Sequence, residues 1–350
     1  MKVLIDLNHP AHVHLFRNFI SYLKSNGHFV LVTASDKDLT LKLLNLYNIN
    51  AVNFKGFSQN NLLGFIQLIK RDFILFKYFQ RYRFDFAFGT STAITHISSL
   101  TSMESFIFNE DDDDIVPITA YLSYPFATKI IIPDCLRYKK WMKKRVIHNS
   151  YHELAYLHPN NFKPNPKVLN YLGIKPNEKY FIVRLSALKA HHDKGAIGLT
   201  KEMQKDILNF LQIQGKVFIT SEYELDNEFK KFQFPISPEL IHHAMFYATM
   251  VIGDSQTMIA EAAVLGTPAI RYNSFVGKIS YLEELEHKYE LTFGFKPGQE
   301  GKMIQKIKNL IKIDNLKEIW YERKKIMLKE KCDLNQWMID YFEKLIKKDY

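Results

Sequence analysis

The chain reads as an α/β protein made of two Rossmann-like halves with a cleft between them, and three observations predict this. Short apolar runs alternate with amphipathic helical stretches along the sequence, the pattern of parallel strands joined by crossover helices. The pattern pauses at a polar, proline-bearing stretch, HPNNFKPNPK (His158–Lys167), and then restarts. The length, 350 residues, exceeds what one core usually supports. The expected division is an N-terminal Rossmann-like domain over 1–160, a C-terminal Rossmann-like domain over 161–330, and a helix over 331–350 that packs back on the first.

Taken in order, KVLIDL is an apolar run and reads as the first strand. AHVHLFRNFISYLKSNG has apolar residues at helical spacing and a stop at Gly27. HFVLVT is a second strand, and Asp36 suits the N-cap of a helix over DKDLTLKLLNLYNI. AVNF is a third strand before a long helix from Leu62 to about Arg83. FDFAFG and ESFIF are strands flanking the helical TAITHISSL, and KIIIPD closes the half. The second half runs KYFIVRL, a helix near Leu199–Gln212, KVFITS, a helix from Pro238 to Ala248, MVIG, the Gln256–Leu265 helix and PAIRY. From Gly301 the tail is helical and charged.

Composition narrows the class. No uncharged apolar run reaches the length of a membrane span, and MKVLIDLNHP turns polar too soon for a signal peptide. Two cysteines are too few for a disulfide framework or a Cys-based zinc site, so a cytoplasmic location is expected. The net charge of +10 suits phosphate-bearing partners, but no nucleic-acid-binding motif is present. Basic residues cluster with aromatics in Leu136–Arg145 and Ile69–Asp85. Such stretches are either solvated helix faces or surfaces that lie on anionic lipid.

The segment GDSQTMIAEAAVLG (Gly253–Gly266) turns a strand into a helix. Asp254, Ser255, Gln256 and Thr257 occupy its first turn, where free amides and the helix dipole suit a phosphate. Glu261, one turn on, is placed to accept from ribose hydroxyls. The same residues also suit an ordinary cap with a surface acid beyond it.

GDSQTMIAEAAVLGTPAIR resembles the donor-nucleotide segment of GT-B glycosyltransferases and of UDP-N-acetylglucosamine 2-epimerases, with Asp254, Ser255, Glu261, Leu265, Gly266 and Pro268 at matching positions. Gln256 and Thr257 stand where the epimerases carry two glycines. Together with DLNHPAHVH, YHELAYLHP and VRLSALKAHHD, the segment is similar to the predicted bacterial glycosyltransferases of domain of unknown function family 354. The resemblance implies a GT-B-like fold, with the nucleotide on the C-terminal half and no bound metal or cofactor.

Further constellations follow. In NHPAHVH, Ala11-His12-Val13 is similar to the Gly-His-Val loop of the lipid-II-forming transferase, which makes His12 the favoured general base with Glu110 in reserve; His9, and His14 toward the acceptor, are weaker candidates. In FGTSTA, Gly89, Thr90 and Ser91 would hold an acceptor or sugar hydroxyl, or cap a helix. Glu110 resembles an epimerase glutamate after the fifth strand; Glu110 or Asp111 would orient or deprotonate substrate, the rest of EDDDD being solvated. Arg184, near the end of KYFIVRL, and Ser186 just after it would bind phosphate, His191 and His192 the donor sugar, Ser221 and Ile236 the rest of the nucleotide, and Arg271 would face the cleft. Tyr151, His152 and Glu153 belong either to the site or to the hinge. The expected activity is sugar transfer from a UDP-linked donor to a polysaccharide or lipid-linked acceptor. The alternatives are a nucleotide-sugar 2-epimerase, hydrolysing or not, and a basic nucleic-acid-binding protein.

Overall fold

A computed structural model describes residues 1–36, 39–55, 61–187 and 197–348. They form two units, Met1–Asn161 with Cys332–Tyr350, and Phe162–Lys331. In the first, β1 (Lys2–Leu7) runs into α1 (Pro10–Ser25), β2 (Phe29–Asp36), α2 (Thr40–Leu46) and β3 (Val52–Lys55). Then come α3 (Asn61–Tyr82), β4 (Phe86–Gly89), α4 (Thr92–Ser99), β5 (Glu104–Phe108), α5 (Pro117–Ser123), β6 (Lys129–Pro133), β7 (Arg145–His148) and the single turn α6 (Leu154–Leu157). The seven strands pair in parallel in the order β3-β2-β1-β4-β5-β6-β7.

The second unit opens with α7 (Lys167–Tyr171), β8 (Tyr180–Leu185), α8 (Lys201–Gln214), β9 (Lys216–Ser221), α9 (Ile241–Tyr247) and β10 (Met250–Gly253). It continues through α10 (Gln256–Leu265), β11 (Ala269–Tyr272), α11 (Ser280–His287), β12 (Thr292–Phe295), α12 (Glu300–Ile311) and α13 (Leu316–Glu330). Its five strands are parallel in the order β12-β11-β10-β8-β9. The last helix, α14 (Leu334–Lys348), belongs to the first unit.

Parallel strands covered on both faces need continuous apolar runs, and β1, β4 and β10 supply them with scarcely an exposed residue. In the first unit α1 buries Val13, Phe16, Phe19 and Leu23. Phe342 of α14 meets the edges of Phe19, Phe86 and Phe88 with ring centroids 5.8, 5.8 and 6.1 Å apart.

Each sheet reverses its direction of growth once, between β1 and β4 in the first and between β8 and β10 in the second. The loops leaving two such strands diverge, and the crevice they open is where α/β sheets bind ligands. A glycine ends one strand at each reversal. A Cβ on Gly89 would lie 2.4 Å from the Asp6 carbonyl oxygen, and one on Gly253 would lie 2.5 Å from that of Arg184.

Three local expectations are corrected. Asp36 ends β2 instead of capping α2, whose N-cap is Leu39 with no side-chain bond. The Leu136–Arg145 stretch is no long helix: it holds one 3-10 turn, Met142–Lys144, and leads into β7. The acidic run is not uniformly solvated, for Asp112 is fully buried. Its carboxylate accepts from the Arg137 amide at 2.6 Å and lies 3.4 Å from the Arg137 guanidinium, while Asp113 pairs with Arg145. Part of each charge cluster therefore neutralises the other.

Candidate functional site

In the first unit the reversal between β1 and β4 brings together two residues from separate motifs. His12 sits in the first turn of α1, and Thr90 links β4 to α4; Thr90 Oγ1 lies 2.6 Å from His12 Nδ1. The Asn8 amide also donates to that nitrogen, at 3.4 Å. Because an amide can only donate, Nδ1 is an acceptor, and the proton of the neutral ring is on Nε2. Thr90 Oγ1 is therefore the donor in its hydrogen bond to His12 Nδ1.

Beneath this loop lies a buried network that the sequence reading did not anticipate. Asp6 of β1 pairs with Arg71 of α3 and accepts from Thr33 Oγ1 at 2.6 Å. Arg71 also donates to Ser35, whose hydroxyl donates to Asn8 Oδ1 at 3.0 Å. The one usable signal was a carboxylate interrupting the apolar run KVLIDL. Glu110, after β5, has Oε2 3.2 Å from Nδ1 of His152. Burial, followed by the charge of His12, pushes the His152 pKa down to about 3 and keeps its ring neutral.

Other expected residues are placed differently. His9 is the N-cap of α1 and its Nδ1 accepts from Ala11, the role its position in the loop favours. His14 is corrected: it is a core residue, stacked on Tyr156 with centroids 5.2 Å apart and 3.4 Å from the Tyr47 hydroxyl, so it is not offered to an acceptor. The Nδ1 atoms of these three histidines thus meet different partners. Ser91 is buried and caps α4 through the Ala93 amide. Asp111 is half-buried in a turn closed by Asn109, whose side chain donates to its carbonyl at 2.5 Å. Tyr151 and Glu153 are buried.

In the second unit the reversal lies between β8 and β10, and α10 starts there. Ser255 is its N-cap, accepting from the Met258 amide at 3.4 Å. Helix geometry leaves the Gln256 and Thr257 amides without intrahelical partners, and residues Ser255–Met258 are half-exposed. Asp254 does not join them. Its buried carboxylate accepts from the amides of Ser186 (2.7 Å) and Leu199 (3.3 Å), and its carbonyl accepts from Asn273 (3.0 Å). Burial raises its pKa to about 6, against the lowering effect of those two amides. Asp254 thus ties the end of β10 to the segments after β8 and before α8.

Glu261 is engaged within the fold. It lies on the buried face of α10, and its Oε1 is 2.9 Å from His242 Nε2 of α9, so the carboxylate joins two helices instead of standing open to a ribose. Arg184, at the end of β8, pairs with Glu222, which also accepts from the Ala187 amide at 3.0 Å. Ser221 accepts from Tyr223, and Ile236 is half-buried in a bend. Arg271 is fully buried, 3.2 Å from Glu283, and so is not open to a ligand. His191 and His192 lie outside the described residues. Cavities of about 540 and 880 Å³ in this unit are lined from β12 and α12, and from the last turn of α10 with α13; neither includes the start of α10.

Against this geometry, a family described as "Protein of unknown function (DUF354)" matches residues 1–284. No curated protein matches the sequence. UDP-GlcNAc 2-epimerase from Neisseria meningitidis, solved with UDP-GlcNAc, superposes with a TM-score of 0.70 at 13% identity, over 99% of this chain and 100% of its own. Staphylococcus aureus MnaA, solved with UDP, gives 0.68 at 12%, over 99% and 97%. A glycosyltransferase from Rickettsia africae gives 0.57 at 12%, over 99% and 98%. At such identities the likeness is one of fold. The chain has the two-parallel-sheet architecture of GT-B glycosyltransferases and epimerases.

Proposed function

We propose a function from one premise: the chain belongs to the DUF354 family. On our reading it is an enzyme that moves a sugar from a nucleoside diphosphate sugar, with UDP as the nucleotide, to a surface-polysaccharide or glycolipid acceptor. The observation that carries the reading is the half-exposed start of α10 at the β8–β10 reversal. Unpaired amides at a helix N-terminus bind a diphosphate through hydrogen bonds and the helix dipole, and the hydroxyls of Ser255 and Thr257 stand in the same turn. Arg184 ends the adjacent strand, and its guanidinium suits a phosphate.

In the proposed step the acceptor oxygen attacks the anomeric carbon as the bond to the diphosphate oxygen breaks. The acceptor proton passes to Thr90 Oγ1 while Thr90 gives its own to His12 Nδ1. Charge developing on the leaving diphosphate meets the α10 amides and Arg184; single preorganised donors of this kind contribute about 3–4 kcal/mol. The scheme uses no metal. Asp254 and Glu261 act as positioning residues, holding the donor corner without touching substrate.

A nucleotide-sugar 2-epimerase is the second reading, favoured by Glu110 after β5, a carboxylate suited to moving a proton at a sugar carbon, with its Oε2 3.2 Å from His152 Nδ1. Melting the protein with UDP, dTDP, GDP and ADP tests the shared premise. A ligand at about 100 times its Kd stabilises by about 2.7 kcal/mol, and a melting temperature unmoved by every nucleotide sinks both readings. Incubation with UDP-GlcNAc alone then separates them, since epimerised sugar without an acceptor favours the second.

A further inference from the structure

We infer that one side of the first unit, formed by α3, α5 and the Trp141–Lys143 turn, docks on an anionic lipid surface. On α3 the inward residues Leu68, Leu75 and Phe79 are buried, while Phe65, Ile66, Ile69 and Phe73 are 40–59% exposed. Lys70 and Lys77 are exposed on the same outward stripe, and Lys77 Nζ sits 4.5 Å above the Phe73 ring. A monomer rarely leaves so many large apolar side chains together in water.

His96 of α4 joins this stripe to α5. Its Nδ1 is 2.8 Å from Asp72 of α3, and its Nε2 is 2.9 Å from the Leu122 carbonyl. One imidazole therefore spans the gap between Phe73's neighbour and the exposed end of α5. There Ile118 and Tyr121 are 61% and 55% exposed, and Phe126 packs its ring on His96 at 5.2 Å. The surface continues through Tyr121, whose ring meets Trp141 at 5.5 Å, to the exposed Met142. Lys139, Lys140 and Lys143 are exposed around it, whereas Arg137 and Arg145 of the same stretch face the acidic run.

Aliphatic and aromatic side chains ringed by lysines match the boundary between lipid headgroups and acyl chains. A second copy would set the same lysines against each other. Nucleic acid would meet the lysines but leave Ile66, Ile69 and Ile118 with nothing to bury against. No helix among the described residues is long and apolar enough to cross a bilayer, so the contact is with the surface. None of these residues lies in the strand-end loops of the candidate site, and the inference does not depend on the sugar-transfer reading.

The test is flotation of the full chain with vesicles of phosphatidylcholine, with and without phosphatidylglycerol. The chain should float only with phosphatidylglycerol, less as salt is raised. Lys139→Glu with Lys140→Glu and Lys143→Glu should lower partitioning about a hundredfold. Ile69→Ser with Phe73→Ser and Ile118→Ser should lower it about tenfold or more, with circular dichroism unchanged. Absence of flotation, equal flotation on both lipids, or variants that partition like the parent would overturn the inference. So would a parent dimer that the serine variant converts to monomer in sedimentation, without any lipid binding.

Discussion

At the scale of single residues, the corner at the start of α10 is held by groups that are themselves buried. Glu261 and His242 are both nearly inaccessible and 2.9 Å apart. Removing one member of such a pair strands the other and costs about 3–5 kcal/mol. Glu261→Ala should therefore lower the urea midpoint even without nucleotide, and an unmoved midpoint would return Glu261 to the ribose. Asp254 makes a second case through pH. Its carboxyl titrates at about 6 in the fold against 3.8 ordinarily, so between those values the folded state holds the extra proton. Stability from this group is present at low pH and falls as pH rises from about 4 to 6, by on the order of 3 kcal/mol. Asp254→Asn should flatten that part of the pH–melting curve; a variant with the parent's slope would refute the assignment. His12 and Thr90 should act as one unit. His12→Ala should cut turnover by about 10²–10⁴ with UDP affinity kept, and adding Thr90→Val should cost little more. Multiplicative losses in the double variant would break the relay.

At the scale of elements, the glycines at the two reversals set how closely neighbouring strands approach. Gly253→Ala would press a methyl against the Arg184 backbone, which cannot swing away as a side-chain end can. The expected cost is about 1–3 kcal/mol, read by calorimetry, and a loss confined to well under that range would mean that β8 gives way. The long runs were legible because a helix or a buried parallel strand carries its own period. Shorter elements were not: α5, β7, α11 and β12 are four to eight residues each, too short for a period to stand out. Their place depends on partners distant in sequence. The Leu136–Arg145 stretch shows this, since its arginines face Asp112 and Asp113, roughly 25–32 residues upstream.

At the scale of the whole molecule, the last helix completes the first unit's core. Phe342 is fully buried among Phe19, Phe86 and Phe88, and truncating such a residue costs about 3–5 kcal/mol. Phe342→Ala should lower the melting transition without changing nucleotide affinity per folded molecule. A transition at the parent temperature would show that α14 adds little to that core.

The sequence by itself determined the fold class and the strand-end corners worth inspecting. Apolar periodicity, helix caps and glycine turns are properties of neighbouring residues, and the motif carrying Asp254 and Ser255 is contiguous. Only the tertiary structure decided which polar groups meet. His12 with Thr90, Glu110 with His152, Asp6 with Arg71 and Glu261 with His242 are separated by 19 to 78 positions. Burial, which turns an expected ligand into a strut, arises only when distant elements pack, so no local pattern in the chain records it.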